Sequence, residues 1–108
     1  MCAITGKLNF NPDKKVSAFL IQEMNKTLTH RGPDSEGIYV KDNVGLGHRR
    51  LKIIDLSRTA NQPMPNENRN CWIVYNGEIY NFQDLRNDLV KRGHHFISRS
   101  DTEVILHL

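Results

Sequence analysis

Long apolar runs are missing from this sequence, and that absence removes whole classes of protein. The longest, residues 18–21 and 71–75, fall far short of the ~20 residues a membrane-spanning helix needs, so no membrane partner is expected. Cysteine is scarce: Cys2 and Cys71 are too few for a disulfide framework. The first residues lack a basic segment followed by an apolar stretch and a cleavage site, so Met1-Cys2 reads as a translation start and the expected compartment is the cytoplasm. No Gly-rich phosphate loop is present, which argues against ATP within these residues. Metal spacing is missing too. His94-His95 has no second ligand pair, and neither His30 nor His48 stands in a His-Glu-x-x-His pattern, so no metal is expected. Fifteen Lys and Arg against twelve Asp and Glu give a net charge of +3 without a basic face, so no nucleic-acid partner is expected either.

What remains is the composition of one small globular domain: 108 residues, 38% hydrophobic and 25% charged. Residues 1–10 alternate loosely and read as a strand that starts inside and runs outward. Asn11-Pro12-Asp13 signals a turn and helix start, with Val16, Phe19, Leu20, Met24 and Leu28 as the stripe of a helix ending before Gly32-Pro33. Residues 37–40 and 44–51, joined by Lys41-Asp42-Asn43, read as a hairpin. Residues 57–70 are a long polar loop carrying Pro63 and Pro65. The apolar, β-branched and aromatic run 71–75 predicts a strand buried on both faces, with Cys71 as core packing. Asn81 can cap a second helix with the stripe Phe82, Leu85, Leu89 and Val90, stopped by Gly93. Ser100-Asp101-Thr102-Glu103 is a capping-box pattern ahead of Val104-Ile105-Leu106. The chain ends scarcely two turns later, which suggests a fragment.

Four places in the sequence hold potential chemistry. If Met1 is removed, Cys2 gains a free α-amine that titrates near ~8, close to a thiol's ~8.5. One residue then carries a sulfur nucleophile and a base for its proton. The alternative is a small residue at a strand entrance. Asn76-Gly77 between apolar runs is a strong hairpin signal. Only Ile79 and Tyr80 separate Glu78 from Asn81, however, too few for a paired return strand, so the pair can instead project a side-chain amide and a backbone N–H as two oxyanion donors. Arg50 can clamp a carboxylate through two parallel hydrogen bonds or simply be a solvated strand-end residue. Asp101 can complement a helix dipole and by itself says no more.

In order and spacing, Met1-Cys2-x-Ile4-x-Gly6, His30-Arg31-Gly32-Pro33-Asp34, His48-x-Arg50-Leu51, Gln62-Pro63-Met64, residues 75–81 and Ser100-Asp101-Thr102-Glu103 resemble the class II glutamine amidotransferases. Within these N-terminal-nucleophile hydrolases, the similarity is greatest to the glutaminase domain of glutamine-hydrolysing asparagine synthetases. The resemblance implies an α+β fold, the αββα sandwich of that superfamily, with only its N-terminal part in residues 1–108. It implies Cys2 as nucleophile, Asn76 and Gly77 as oxyanion hole, and Arg50 on the α-carboxylate of glutamine. Asp101 and the segment at Glu78 would receive the α-ammonium, and backbone from Leu51 to Ile54 would line the pocket. The implied partners are glutamine and a synthetase domain absent from this chain, to which ATP and Mg would belong. Two other readings are a sister amidotransferase with a sugar or cell-surface acceptor, and a truncated, non-catalytic paralogue acting as a binding module.

Overall fold

The computed structural model describes residues 2–53 and 56–108 and shows mixed α and β structure with antiparallel sheets. Three strands, β1 (Ala3–Leu8), β2 (Ser35–Lys41) and β3 (Val44–Arg50), form a sheet in the order β1-β3-β2. Ala3 lies opposite Arg49 and Ser35 opposite Arg50, so the end of β3 is flanked by the residue after Cys2 and by the start of β2. The predicted hairpin is present: Lys41 pairs with Val44, and Asp42 takes φ 51° in the turn between them.

Helix α1 (Ala18–Lys26) packs on one face of this sheet. It starts later than the Asn-Pro-Asp signal implied and presents a different face. Ile21 and Asn25 are fully buried, while Phe19 and Leu20 are exposed. The cause lies in β3. Gly47 leaves a trough into which Thr5, Ile21 and Asn25 close, and an added Cβ there would stand 2.2 Å from Thr5 Oγ1. Thr5 Oγ1 donates to Asn25 Oδ1 at 2.8 Å, and Asn25 Nδ2 donates to the Gly37 carbonyl at 3.2 Å. A buried, satisfied amide thus replaces part of the expected apolar stripe.

The polar stretch 57–70 is more ordered than its composition suggests. It holds a single 3-10 turn, Arg58–Ala60, and a short strand β4 (Met64–Pro65) that pairs antiparallel with β5 (Trp72–Ile73). The expectation for 71–75 is therefore corrected: pairing covers two residues, Trp72 to Tyr75 are half-buried, and Cys71 is exposed. β5 has one short partner strand, and its aromatic face is covered by Tyr39 of β2, whose ring stacks on Trp72 at 3.9 Å.

Helix α2 (Phe82–Lys91) stops as expected at Gly93, where φ is +96°. Asn81 precedes it without a side-chain capping bond, and Val90 is exposed. Arg86 takes up the inner face instead, donating to the Ser98 carbonyl at 2.6 Å and lying over the Phe96 ring. Helix α3 (Thr102–His107) departs from the capping box. Glu103 reaches beyond Ser100, accepting the backbone N–H groups of Ile97 at 2.8 Å and Ser98 at 2.7 Å as well as the Ser98 hydroxyl. Among the described residues, no helix is long and apolar enough to cross a membrane.

Candidate active site

Four separated segments converge on a cleft of about 120 Å³ lined by Cys2, Arg50, Leu51, Asn76, Gly77, Glu78 and Asp101, among others. Every candidate residue from the sequence is there except Ile54, which lies outside the described residues. The pairing of β1 with β3 delivers the first two. Cys2 is half-buried just before β1, and its Sγ accepts the Leu51 N–H at 3.2 Å, with the Leu51 carbonyl 3.5 Å away. These contacts fix the direction of the sulfur. Arg50, at the end of β3, is buried rather than solvated: one terminal nitrogen donates to the Ser57 carbonyl and to Asn61 Oδ1, both at 2.6 Å.

Asn76, Gly77 and Glu78 follow β5 and are exposed to the cleft mouth, with no return strand, so the hairpin reading of Asn-Gly does not apply. Asp101 stands across from them at the start of α3, 5% exposed. Its Oδ2 accepts the Ile79 N–H at 2.8 Å, tying the 76–79 segment to the helix start. Asp101 therefore does more than complement a dipole.

Several lining residues carried no assigned role in the sequence. Gln62 is 7% exposed and links two walls, accepting the Tyr75 N–H through Oε1 at 2.6 Å and donating through Nε2 to Thr102 Oγ1 at 3.3 Å. The Gln-Pro-Met motif drew attention to the position but not to these bonds. Gly37 permits the approach, since a Cβ on it would stand 2.2 Å from the Gln62 carbonyl oxygen. His48 is fully buried beneath the site, with Nε2 3.3 Å from the Tyr75 carbonyl oxygen. Burial pushes its pKa down to about 4, the charge on Arg50 adding to that and the Tyr75 contact opposing it.

Elsewhere, Glu67, His94 and His107 bring donor atoms within 4.8 Å of one another, the one such metal-capable group among the described residues. Its members already pair: His94 Nδ1 is 3.1 Å and His107 Nδ1 2.6 Å from Glu67. Desolvation opposes ionisation of Glu67, but the His94 bond, backbone N–H donors and the nearby His107 outweigh it and hold its pKa at about 2. This is a polar cluster that links α3 and His94 to the 66–70 turn.

A family model described as a glutamine amidotransferase domain matches residues 1–108. The chain is 44% identical over 108 residues to asparagine synthetase [glutamine-hydrolyzing] 1 of Bacillus subtilis, a match covering 98% of this chain and 17% of that protein. It is 39% identical to asparagine synthetase [glutamine-hydrolyzing] 1 of Arabidopsis thaliana, over all of this chain and 18% of the relative. A putative asparagine synthetase [glutamine-hydrolyzing] of Methanocaldococcus jannaschii is 38% identical, over all of this chain and 23% of its own length. The chain thus spans less than a quarter of these relatives.

Proposed function

The chain belongs to the glutamine amidotransferase family, class II and of the asparagine synthetase type, and from that premise we propose that it carries the glutamine-hydrolysing half-reaction that supplies ammonia for asparagine synthesis. The observation that carries this reading is the convergence of Cys2, Arg50, Asn76, Gly77 and Asp101 on one cleft. Arg50, oriented by Ser57 and Asn61, holds the α-carboxylate of glutamine. Asp101 and the segment at Glu78 take the α-ammonium, and Leu51 and Ile53 border the bound side chain. With Met1 removed, the α-amine of Cys2 accepts the thiol proton, and sulfur attacks the side-chain amide carbon. The carbonyl π pair moves to oxygen, where the Asn76 amide and the Gly77 N–H stabilise it. Collapse of that intermediate breaks the C–N bond, the Cys2 α-ammonium passes its proton to the departing amide nitrogen and ammonia leaves, giving a γ-glutamyl thioester. Water hydrolyses the thioester to glutamate and restores the thiol.

Residues 1–108 are, in this reading, the N-terminal portion of an N-terminal-nucleophile αββα sandwich. The face of β1 opposite α1 supports it, since Ile4 and Leu8 are 50% and 57% exposed there and suited to a second sheet. No cofactor is required in these residues; ATP and Mg belong to the synthetase domain that the full-length enzyme supplies, and the setting is the cytoplasm. The names of the relatives favour asparagine synthesis over a sugar or cell-surface acceptor.

The test is intact mass before and after incubation with a glutamine-shaped chloroketone. The expected result is loss of Met1 and one adduct on Cys2, suppressed by excess glutamine. Retained Met1, or an adduct that glutamine does not suppress, would sink the reading and favour a non-catalytic paralogue.

A further inference from the structure

Sheet pairing ends at Ile73, so no ladder holds the peptide groups around Tyr75, the residue just before Asn76 and Gly77. Two buried side chains hold them instead. Gln62 Oε1 accepts the Tyr75 N–H at 2.6 Å, and His48 Nε2 lies 3.3 Å from the Tyr75 carbonyl oxygen. A carbonyl only accepts, so Nε2 carries the proton. His48 is a neutral ring in its buried position, and its single N–H is therefore committed to Tyr75.

The consequence follows from peptide planarity. The Tyr75 carbonyl and the Asn76 N–H share one rigid plane, so whatever aims the former also aims the backbone from which the Asn76 side chain departs. The two clamping residues are themselves anchored to the other walls. His48 lies on β3 opposite Ile4, two residues beyond Cys2, and Gln62 Nε2 donates to Thr102, the neighbour of Asp101. We propose that His48 and Gln62 are positioning residues of the oxyanion hole, gripping both peptide groups of Tyr75 so that Asn76 and Gly77 keep their aim relative to Cys2. The role of the hole rests on the function proposed above; the grip on Tyr75 does not.

The variants His48→Leu and Gln62→Met each remove one grip, and His48→Gln keeps a donor on the same side chain reach. Turnover of glutamine should fall about tenfold to a hundredfold in the first two, less than the 10²–10³ of losing a donor outright, with KM changed by less than about threefold. His48→Gln should recover most of kcat. Labelling of Cys2 by iodoacetamide, with the exposed Cys71 as internal reference, should be unchanged, because that reaction needs no oxyanion hole. Amide hydrogen exchange at Tyr75 and Asn76 should accelerate while amides of the β1-β3 ladder keep their protection. Normal kcat in folded His48→Leu and Gln62→Met proteins overturns the proposal, as does unaltered exchange at Tyr75 and Asn76. A parallel loss of Cys2 labelling also overturns it, by showing general collapse of the cleft. If Cys2→Ser retained full glutaminase activity, the role of Cys2 as nucleophile would fall on its own, and hydrogen exchange would still decide the grip.

Discussion

Asn76 places half of the proposed oxyanion hole on a side chain, so the Asn76→Ala variant should lose that donor without disturbing the neighbouring backbone. Removing one such donor costs about 2.7–4 kcal/mol of barrier, or roughly 10²–10³ in kcat, and steady-state glutaminase assays would read it directly. Two acid-sensitive groups make a second prediction. His48 has its folded pKa lowered from 6.5 to about 4, so the unfolded chain binds the extra proton between these values. Its contribution is complete above pH 6.5 and is lost as pH falls towards 4, by about 1.4 kcal/mol per unit. Glu67, lowered from 4.5 to about 2, contributes above pH 4.5 and loses that contribution on acidification towards 2. Urea midpoints should therefore drop in two successive windows, and His48→Gln should flatten the upper one. Cys2 and Asn76-Gly77 could be picked out as candidates because the chemistry proposed for them lies within one or two adjacent residues. Gln62 and His48 were not, since their partners are 13 and 27 residues away. Cys71 misled because apolar neighbours do not say whether a second layer covers them.

Among elements, the seat of α1 is the most sensitive. Gly47 has no room for a side chain beside Thr5, Asn25 and Ile21, so Gly47→Val should force the helix off the sheet and cost at least about 1–3 kcal/mol. A lower urea midpoint with retained Asn81–Gly93 helix signals in NMR would locate the damage to this face. The hairpin of β2 and β3 could be read from two short runs and a polar turn. The boundaries of α2 could be read to within a turn, but neither the start nor the inward face of α1 could. Its inward side is set by glycines in a strand over twenty residues later, which no periodicity within the helix records. The capping box failed for a similar reason: Glu103 found the N–H groups of Ile97 and Ser98, which the chain folds back towards it.

At the scale of the whole molecule, the stretch 57–70 behaves as a strap. Asn61 holds Arg50, Gln62 holds Tyr75 and Thr102, and Glu67 holds His94 and His107. Its polarity correctly marked the absence of a long strand or helix, but polar side chains spent on other segments look the same in a sequence as polar side chains spent on water. Replacing residues 66–70 by a Gly-Ser tract of equal length should leave the β1-β3 ladder protected and lower the midpoint, as seen by hydrogen exchange and urea titration. The cleft has a temporal meaning as well. Its lining begins at Cys2 and is completed by Asp101 and Thr102, so during synthesis the proposed nucleophile emerges before the other residues of its cleft. The α-amine can be exposed on a nascent chain while neither the proposed oxyanion donors nor the proposed ammonium acceptor yet exists. Translation itself would then act as a safety interval, in which the thiol is present but glutamine is not consumed.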